Sequence, residues 1–231
     1  MRADESSATS DEISHAGRLG TNRATDSARF LPEARRPRRG GVTTGVTDLR
    51  NLLTHVRRAP DRLLQPLRRR KAIHVLRTRP RPNSVLVVCH GNICRSPVAG
   101  ALLARELAPR GIAVHSAGFF GFNRPAPPEA VAAAERHAIN LSDHRSRLVT
   151  AAMARGTDLI VVMDPLQRRL LRERYGRSPD GVLVLGDLDP GPIKTRTIRD
   201  PVNEKQEVFE QVYERIARCV QELGALLSAR S

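Results

Sequence analysis

The sequence predicts an α/β fold, a three-layer doubly wound four-stranded parallel sheet, over residues 84–228. Two observations predict it. From Ser84 onward, short continuous apolar runs alternate with segments of helical period, as expected for parallel strands covered on both faces. The first of these runs feeds directly into a loop containing Cys, Gly and Asn and then a helix start. In such sheets ligands bind beyond the carboxyl ends of the strands, at a topological switch point.

The elements follow in order. Val85–Val88 is the first strand, and a helix runs from Pro97 to about Leu107. Ile112–His115 is the second strand. Pro128–His137 is helical, with Ala130, Val131, Ala134 and Ala138 near one face. Leu148–Arg155 is a short helix stopped by Gly156. Leu159–Met163 is the third strand. Pro165–Tyr175 is a helix capped by Asp164 and ended by Gly176. Val182–Leu185 is the fourth strand. The last helix, Glu204 to about Ser228, places Val208, Val212, Ile216, Val220 and Leu223 along its buried face.

The first third of the 231-residue chain differs. Residues 1–84 hold 19 basic and 8 acidic residues, whereas residues 85–231 hold 20 and 16, so most of the +15 net charge sits early. Residues 1–46 are rich in Ser, Thr, Asp, Gly, Pro and Arg, without sustained periodicity, and read as a disordered tail. The basic residues are Arg except Lys71, Lys194 and Lys205, as in a GC-rich coding sequence. In such genes a start codon is easily assigned too early, so part of this tail need not be made.

Residues 47–80 read as a basic amphipathic helical extension. Leu49, Leu52, Leu53 and Val56 recur at helical spacing, then Leu63, Leu64 and Leu67, then Ile73 and Leu76, with Arg between them. Pro60 and Pro66 are expected to bend or break it. Residues 48–81 hold 11 basic and 2 acidic residues. Such a helix can lie on an anionic membrane surface through residues 48–78, or pack its Leu face on the rest of the chain. Nucleic acid is the weaker partner, because phosphate binding needs no apolar stripe. No apolar run approaches the roughly 18 residues of a membrane span, and the N-terminus has no signal-peptide core. Three cysteines exclude a disulfide-rich secreted scaffold. A soluble cytoplasmic protein is expected, peripheral to the inner membrane if the extension docks there.

The chemistry is written in Cys89-His90-Gly91-Asn92-Ile93-Cys94-Arg95-Ser96-Pro97. Five residues between Cys89 and Arg95 let the loop curl into a cradle with a thiol at its base and a guanidinium on its rim. Gly91 is expected to supply the unusual backbone turn. Ser96 and Pro97 form an N-cap and N1 pair, so the helix start points N–H groups into the cradle. A thiol beside Arg at a helix N-terminus is poised to be a thiolate nucleophile. A ring of N–H groups and a bidentate Arg suit a phosphoryl group.

This loop resembles the phosphate-binding loop of low-molecular-weight protein tyrosine phosphatases. Ser116-Ala117-Gly118, the Leu141–Arg147 segment, Asp158–Asp164 and Asp200-Pro201 are similar to further segments of that family. The resemblance covers residues 84 to about 228 and none of residues 1–80. The pattern Gln206, Phe209, Val212-Tyr213 and Arg215-Ile216 is closest to the bacterial branch paired with tyrosine autokinases in exopolysaccharide production. The resemblance implies a phosphotyrosine phosphatase needing no metal and no cofactor. It implies that Cys89 attacks phosphorus to form a cysteinyl-phosphate. Arg95 and the loop His90, Gly91, Asn92, Ile93, Cys94 and Ser96 would hold the phosphate, with Asn92 bracing the loop and Ser96 hydrogen-bonding the thiolate. Asp200 would protonate the leaving phenolate, which leaves far better once protonated. It also implies a reversible Cys89–Cys94 disulfide under oxidation.

Two positions bear on the substrate. Val202 and Asn203 stand where the family usually has aromatics after Asp-Pro, so Phe119, Phe120 or Phe122 would have to wall the substrate ring, or else serve as packing. Ile93 matches tyrosine-directed members, whereas a Thr there would point to phosphoarginine. Arsenate reduction on the same fold would need further thiols between Cys94 and Cys219, and there are none. A catalytically weak membrane or polyanion-binding module is the remaining alternative, opposed by the intact Cys89, Arg95 and Asp200. His115, His137 and His144 read as structural and Cys219 as core.

Overall fold

The computed structural model describes residues 44–229, with side chains from Asp61 onward. The disordered-tail reading of residues 1–46 therefore lies outside the described residues up to position 43.

Four strands form one parallel sheet in the order β2-β1-β3-β4: β1 Ser84–Cys89, β2 Ala113–Gly118, β3 Leu159–Val162 and β4 Val182–Val184. The chain leaves β1 for β2 on one side and later returns to β3 on the other. The C-terminal end of β1 is thus the switch point at which ligands bind. Strand side chains alternate between two cores. Val85, Val87, Cys89, Leu159 and Val161 face one core with α2 (Arg95–Leu107), α3 (Pro128–Glu135) and α6 (Gln206–Ser228). Leu86, Val88, Ile160, Val162 and Val184 face the other, with α4 (Ala151–Gly156) and α5 (Pro165–Tyr175). The doubly wound expectation is met by this alternation on strands buried on both sides. Cap chemistry also agrees: Asp164 accepts from the Gln167 amide at 2.8 Å, and Gly176 ends α5 in the left-handed region at φ 67°.

The extension departs from expectation in two ways. Helix α1, Thr44–Thr78, runs through both Pro60 and Pro66 without a break. Its inward stripe is also not the leucine stripe. Gln65, Arg69, Ala72 and Leu76, spaced i, i+4, i+7 and i+11, turn toward the domain, with Leu76 2% exposed and Gln65 7%. Leu63 and Leu67 are 77% and 62% exposed. Polar docking selects this face. Gln65 Nε2 donates toward the Gly186, Asp187 and Asp189 carbonyls of the 3-10 turn Leu185–Leu188 and its exit, at 3.3–3.5 Å. Arg69 pairs with Glu222 of α6, and Asp61 accepts from Thr195 Oγ1 at 3.0 Å. These long-range contacts offset the hydrogen bonds the two prolines forfeit.

Candidate active site

The loop after β1 curls back so that the Cys89 thiol lies under the first turn of α2. Cys89 Sγ is 3.0 Å from Ser96 Oγ and accepts from the Asn92 amide at 3.3 Å. These contacts fix the sulfur at the base of the loop, facing the cradle. The helix starts at Arg95, not at Pro97, and Ser96 is no N-cap. Its hydroxyl turns inward to the thiol and to the Ala117 carbonyl, while the N-cap position falls to Cys94 without a side-chain cap.

The sharp turn is likewise carried by a different residue. Asn92, not Gly91, has positive φ, at 50°. Asn tolerates this region better than most residues, and its side chain is locked there. Asn92 Nδ2 donates to Ser96 Oγ at 2.9 Å and to Ser116 Oγ at 3.0 Å, and Oδ1 accepts from the Arg147 amide at 2.9 Å. The Asn92 carbonyl meets His144 Nε2 at 2.7 Å. His144 is thus a brace for the loop. Gly118 closes β2 against the loop. A Cβ on Gly118 would lie 2.7 Å from the Asn92 nitrogen and 2.9 Å from the His90 oxygen, closer than atoms pack.

Arg95 is buried and donates Nη1 to the Ile198 carbonyl at 3.1 Å, while Nη2 pairs with Asp200 Oδ2. Its Nε is buried and has no hydrogen-bond partner among the described residues. Such a donor costs free energy until an acceptor reaches it, and a phosphoryl oxygen in the cradle is the fitting acceptor. Asp200 is 40% exposed and stands opposite the thiol across a cavity of about 110 Å³. That cavity is lined by Cys89, His90, Gly91, Ile93, Cys94, Arg95, Arg124, Asp200 and Val202. It joins all the sequence-derived site residues except Asn92 and Ser96, which lie behind its wall as braces.

None of the three phenylalanines lines this cavity. Phe119 packs in the second core, Phe122 is exposed, and Phe120 reaches the site only by backing His90, with ring centroids 4.6 Å apart. Val202 and Ile93 supply the apolar wall. Asn203, at φ 64°, closes the turn in which the Glu204 amide donates to Pro201. Arg124, in the loop after β2, brings a second guanidinium that sequence reasoning missed. Cys94 is a free, buried thiol whose pKa is pushed well up, by burial first and by the neighbouring Cys89 second. It stays protonated. Among the described residues no cluster of three His, Cys, Asp or Glu side chains has metal-ligand geometry.

Comparison with known proteins places this arrangement. Residues 84–230 match the family described as low molecular weight phosphotyrosine protein phosphatase. The chain is 38% identical over 138 residues to the probable low molecular weight protein-tyrosine-phosphatase EpsP of Ralstonia nicotianae, covering 59% of this chain and 90% of that protein. The tyrosine phosphatase Wzb from Escherichia coli K30, solved with sulphate, superposes with a TM-score of 0.56 at 28% identity, over 62% of this chain and 96% of that one. The YwlE arginine phosphatase from Geobacillus stearothermophilus gives a TM-score of 0.57 at 26% identity, over 63% of this chain and 93% of its own. With the family match spanning well over half its length, and with the thiol, guanidinium and carboxylate around one cradle, this chain belongs to the low molecular weight phosphotyrosine protein phosphatases.

Proposed function

We propose that this phosphatase hydrolyses phosphotyrosine in a protein substrate through a cysteinyl-phosphate at Cys89. The observation that carries the residue assignment is the Arg95 guanidinium, buried beside the Cys89 thiol with its Nε unpartnered. The Cys89 thiolate attacks phosphorus from below. Arg95 and the loop amides take up charge spreading over the equatorial oxygens. Asp200, displaced from Arg95 by the phosphoryl group, takes up a proton from solvent and hands it to the leaving phenolate oxygen as the P–O bond breaks. The same carboxylate then draws a proton from the water that cleaves the S–P bond. Ile93 and Val202 favour an aromatic ring over a guanidinium, and this supports tyrosine over arginine as the carrier of the phosphate. The Gln206, Phe209, Val212-Tyr213 and Arg215-Ile216 pattern, which resembles the bacterial branch paired with tyrosine autokinases, supports a tyrosine autokinase of polysaccharide production as the substrate. Turnover of p-nitrophenyl phosphate should persist in EDTA and vanish in Cys89→Ser. A Cys89→Ser protein of wild-type activity would overturn the assignment, and faster release of phosphate from phosphoarginine than from phosphotyrosine peptides would overturn the substrate.

A second reading concerns α1. Its outward stripe carries Leu63, Leu67, Arg70, His74 and Arg77, all exposed. Apolar side chains flanked by cations suit an anionic membrane surface, where each cation near the surface contributes about 1 kcal/mol. Full-length protein should co-sediment with phosphatidylglycerol vesicles at low salt, and Leu63→Glu/Leu67→Glu should lose this. Equal sedimentation of both proteins, or none of either, would remove the membrane reading.

A further inference from the structure

The docked extension encloses a second cavity, of about 210 Å³, sharing no lining residue with the catalytic cradle. It lies between α1, α5 and the edge strand β4. Four cationic side chains reach it, Arg68, Lys71, Arg168 and Arg196, against two carboxylates, Asp180 and Asp187. Two of the cations are matched. Arg68 pairs with Asp61, and Arg196 holds Asp187 through Nε at 2.8 Å and through Nη2. The other two share only Asp180, itself unpaired among the described residues, so one positive charge is in surplus. Among the described residues Arg168 forms no ion pair and gives one Nη to the Pro179 carbonyl at 2.8 Å, and Lys71 has neither a hydrogen-bond nor an ion-pair partner. Burial first, and the charge of Arg196 second, lower the pKa of Arg168 against the opposing pull of Asp187 and Asp180. The floor is apolar: Leu76, Val182 and Leu183 are all buried.

Arg168, partly buried over an apolar floor without an ion-pair partner among the described residues, and the exposed Lys71 at the same cavity together favour an anion there. The floor asks for more than an inorganic ion. A volume of 210 Å³ corresponds to the liquid volume of about seven waters, below the range typical of drug-sized pockets. We infer that this cavity binds a small organic anion, an aromatic ring or similarly compact apolar body bearing a phosphate, sulfonate or carboxylate. The ring would lie on Leu76 and Val182, and the anionic head between Lys71 and Arg168. The site is a property of this chain, since three of its contributing side chains, Arg68, Lys71 and Leu76, precede the family match at residue 84. A ligand there bridges the extension to the phosphatase fold and stabilises the docked state by mass action.

Isothermal titration of the full-length protein with naphthalene-2-sulfonate tests this. One equivalent of orthovanadate is included to occupy the cradle. The expected result is one bound sulfonate per chain, with affinity at least tenfold weaker in Lys71→Glu/Arg168→Glu. Turnover of p-nitrophenyl phosphate should stay within twofold of wild type, because neither residue touches the cradle. Lys71→Glu alone, on an exposed and unpaired side chain, should weaken binding several-fold and guards against a folding defect in the double variant. Equal affinity in wild type and variants would overturn the inference. So would the absence of binding at millimolar sulfonate, equal affinity for uncharged 2-naphthol, or binding seen only without vanadate.

Discussion

Asp200 and Arg95 hold each other across the cradle. An incoming phosphoryl group must therefore displace a carboxylate from its own binding arginine before that carboxylate can act on the leaving oxygen. Asp200→Asn separates the two consequences. Loss of the acid should lower kcat for aryl phosphates by roughly 10²–10⁴-fold. Release of Arg95 should at the same time tighten inhibition by inorganic phosphate, by roughly two- to fivefold, since the pair is partly exposed and weak. A kcat change under threefold would mean another residue donates the proton, and weaker phosphate inhibition would mean the pair does not compete with the ligand. At this scale the sequence was most informative where chemistry is concentrated. Cys89, Arg95 and the anion-binding loop were legible from a strand, a loop and a helix start in succession. The residues that brace the loop were not legible as braces. Ser116, Gly118 and His144 act from other segments, brought in by the register of β1 on β2 and by the path of the Leu141–Leu148 loop. Gly91 was the plausible left-handed residue on steric grounds. Asn92 takes that conformation instead, because four hydrogen bonds to its side chain and carbonyl fix it there.

Among the elements, β1, β3, β4 and α5 were read nearly to their ends, because these strands are uniformly apolar and α5 has an explicit cap at each end, whereas β2 was ended three residues short because only its last two residues are buried. Helix α1 was read correctly as a helix, and its face was left open between packing and solvent, with Leu63 and Leu67 in fact exposed. Leucine at helical spacing is a strong signal only when burial is the sole reason for choosing a face. Here a glutamine reaching backbone carbonyls and an arginine reaching Glu222 fix the rotation, and Leu63 and Leu67 are left in solvent. The two faces should therefore respond oppositely to truncation. Leu76→Ala, at a site 2% exposed, should cost about 2–5 kcal/mol in urea unfolding. Leu63→Ala should change stability by no more than about 0.5 kcal/mol. Turnover per folded molecule should be unchanged in both, since no residue before Cys89 lines the cradle. Equal destabilisation by the two substitutions would show that the leucine face is buried after all.

Over the whole molecule, one carboxylate ties together parts that the sheet does not connect. Asp189, fully buried, follows the turn on which α1 docks. It accepts from Arg218 Nε at 2.8 Å and Nη2 at 3.0 Å, from Arg215 Nε at 2.8 Å, and from the Gly191 amide at 3.2 Å. Arg215 in turn donates to the Thr195 and Thr197 carbonyls, so α6, the Pro/Gly-rich loop and the α1 dock share one ionic centre. Burial acts to raise the Asp189 pKa, but the hydrogen bonds from Arg218 and Arg215 prevail and hold it below the usual carboxylate value of 3.8. A carboxyl that is more acidic folded than unfolded adds stability above its unfolded pKa and loses that contribution as pH falls through its folded one. Asp189→Asn should therefore be destabilised at neutral pH by about 2–3 kcal/mol, less than for a wholly buried pair because Arg218 is 44% exposed. The difference from wild type should hold steady down to about pH 5 and shrink below the unfolded value, where the wild-type carboxylate is itself protonated. Urea midpoints of the two proteins between pH 7 and pH 3 measure this directly. A gap that widens on acidification would mean that Asp189 is held protonated in the folded chain and that Arg215 and Arg218 are anchored by their carbonyl partners alone.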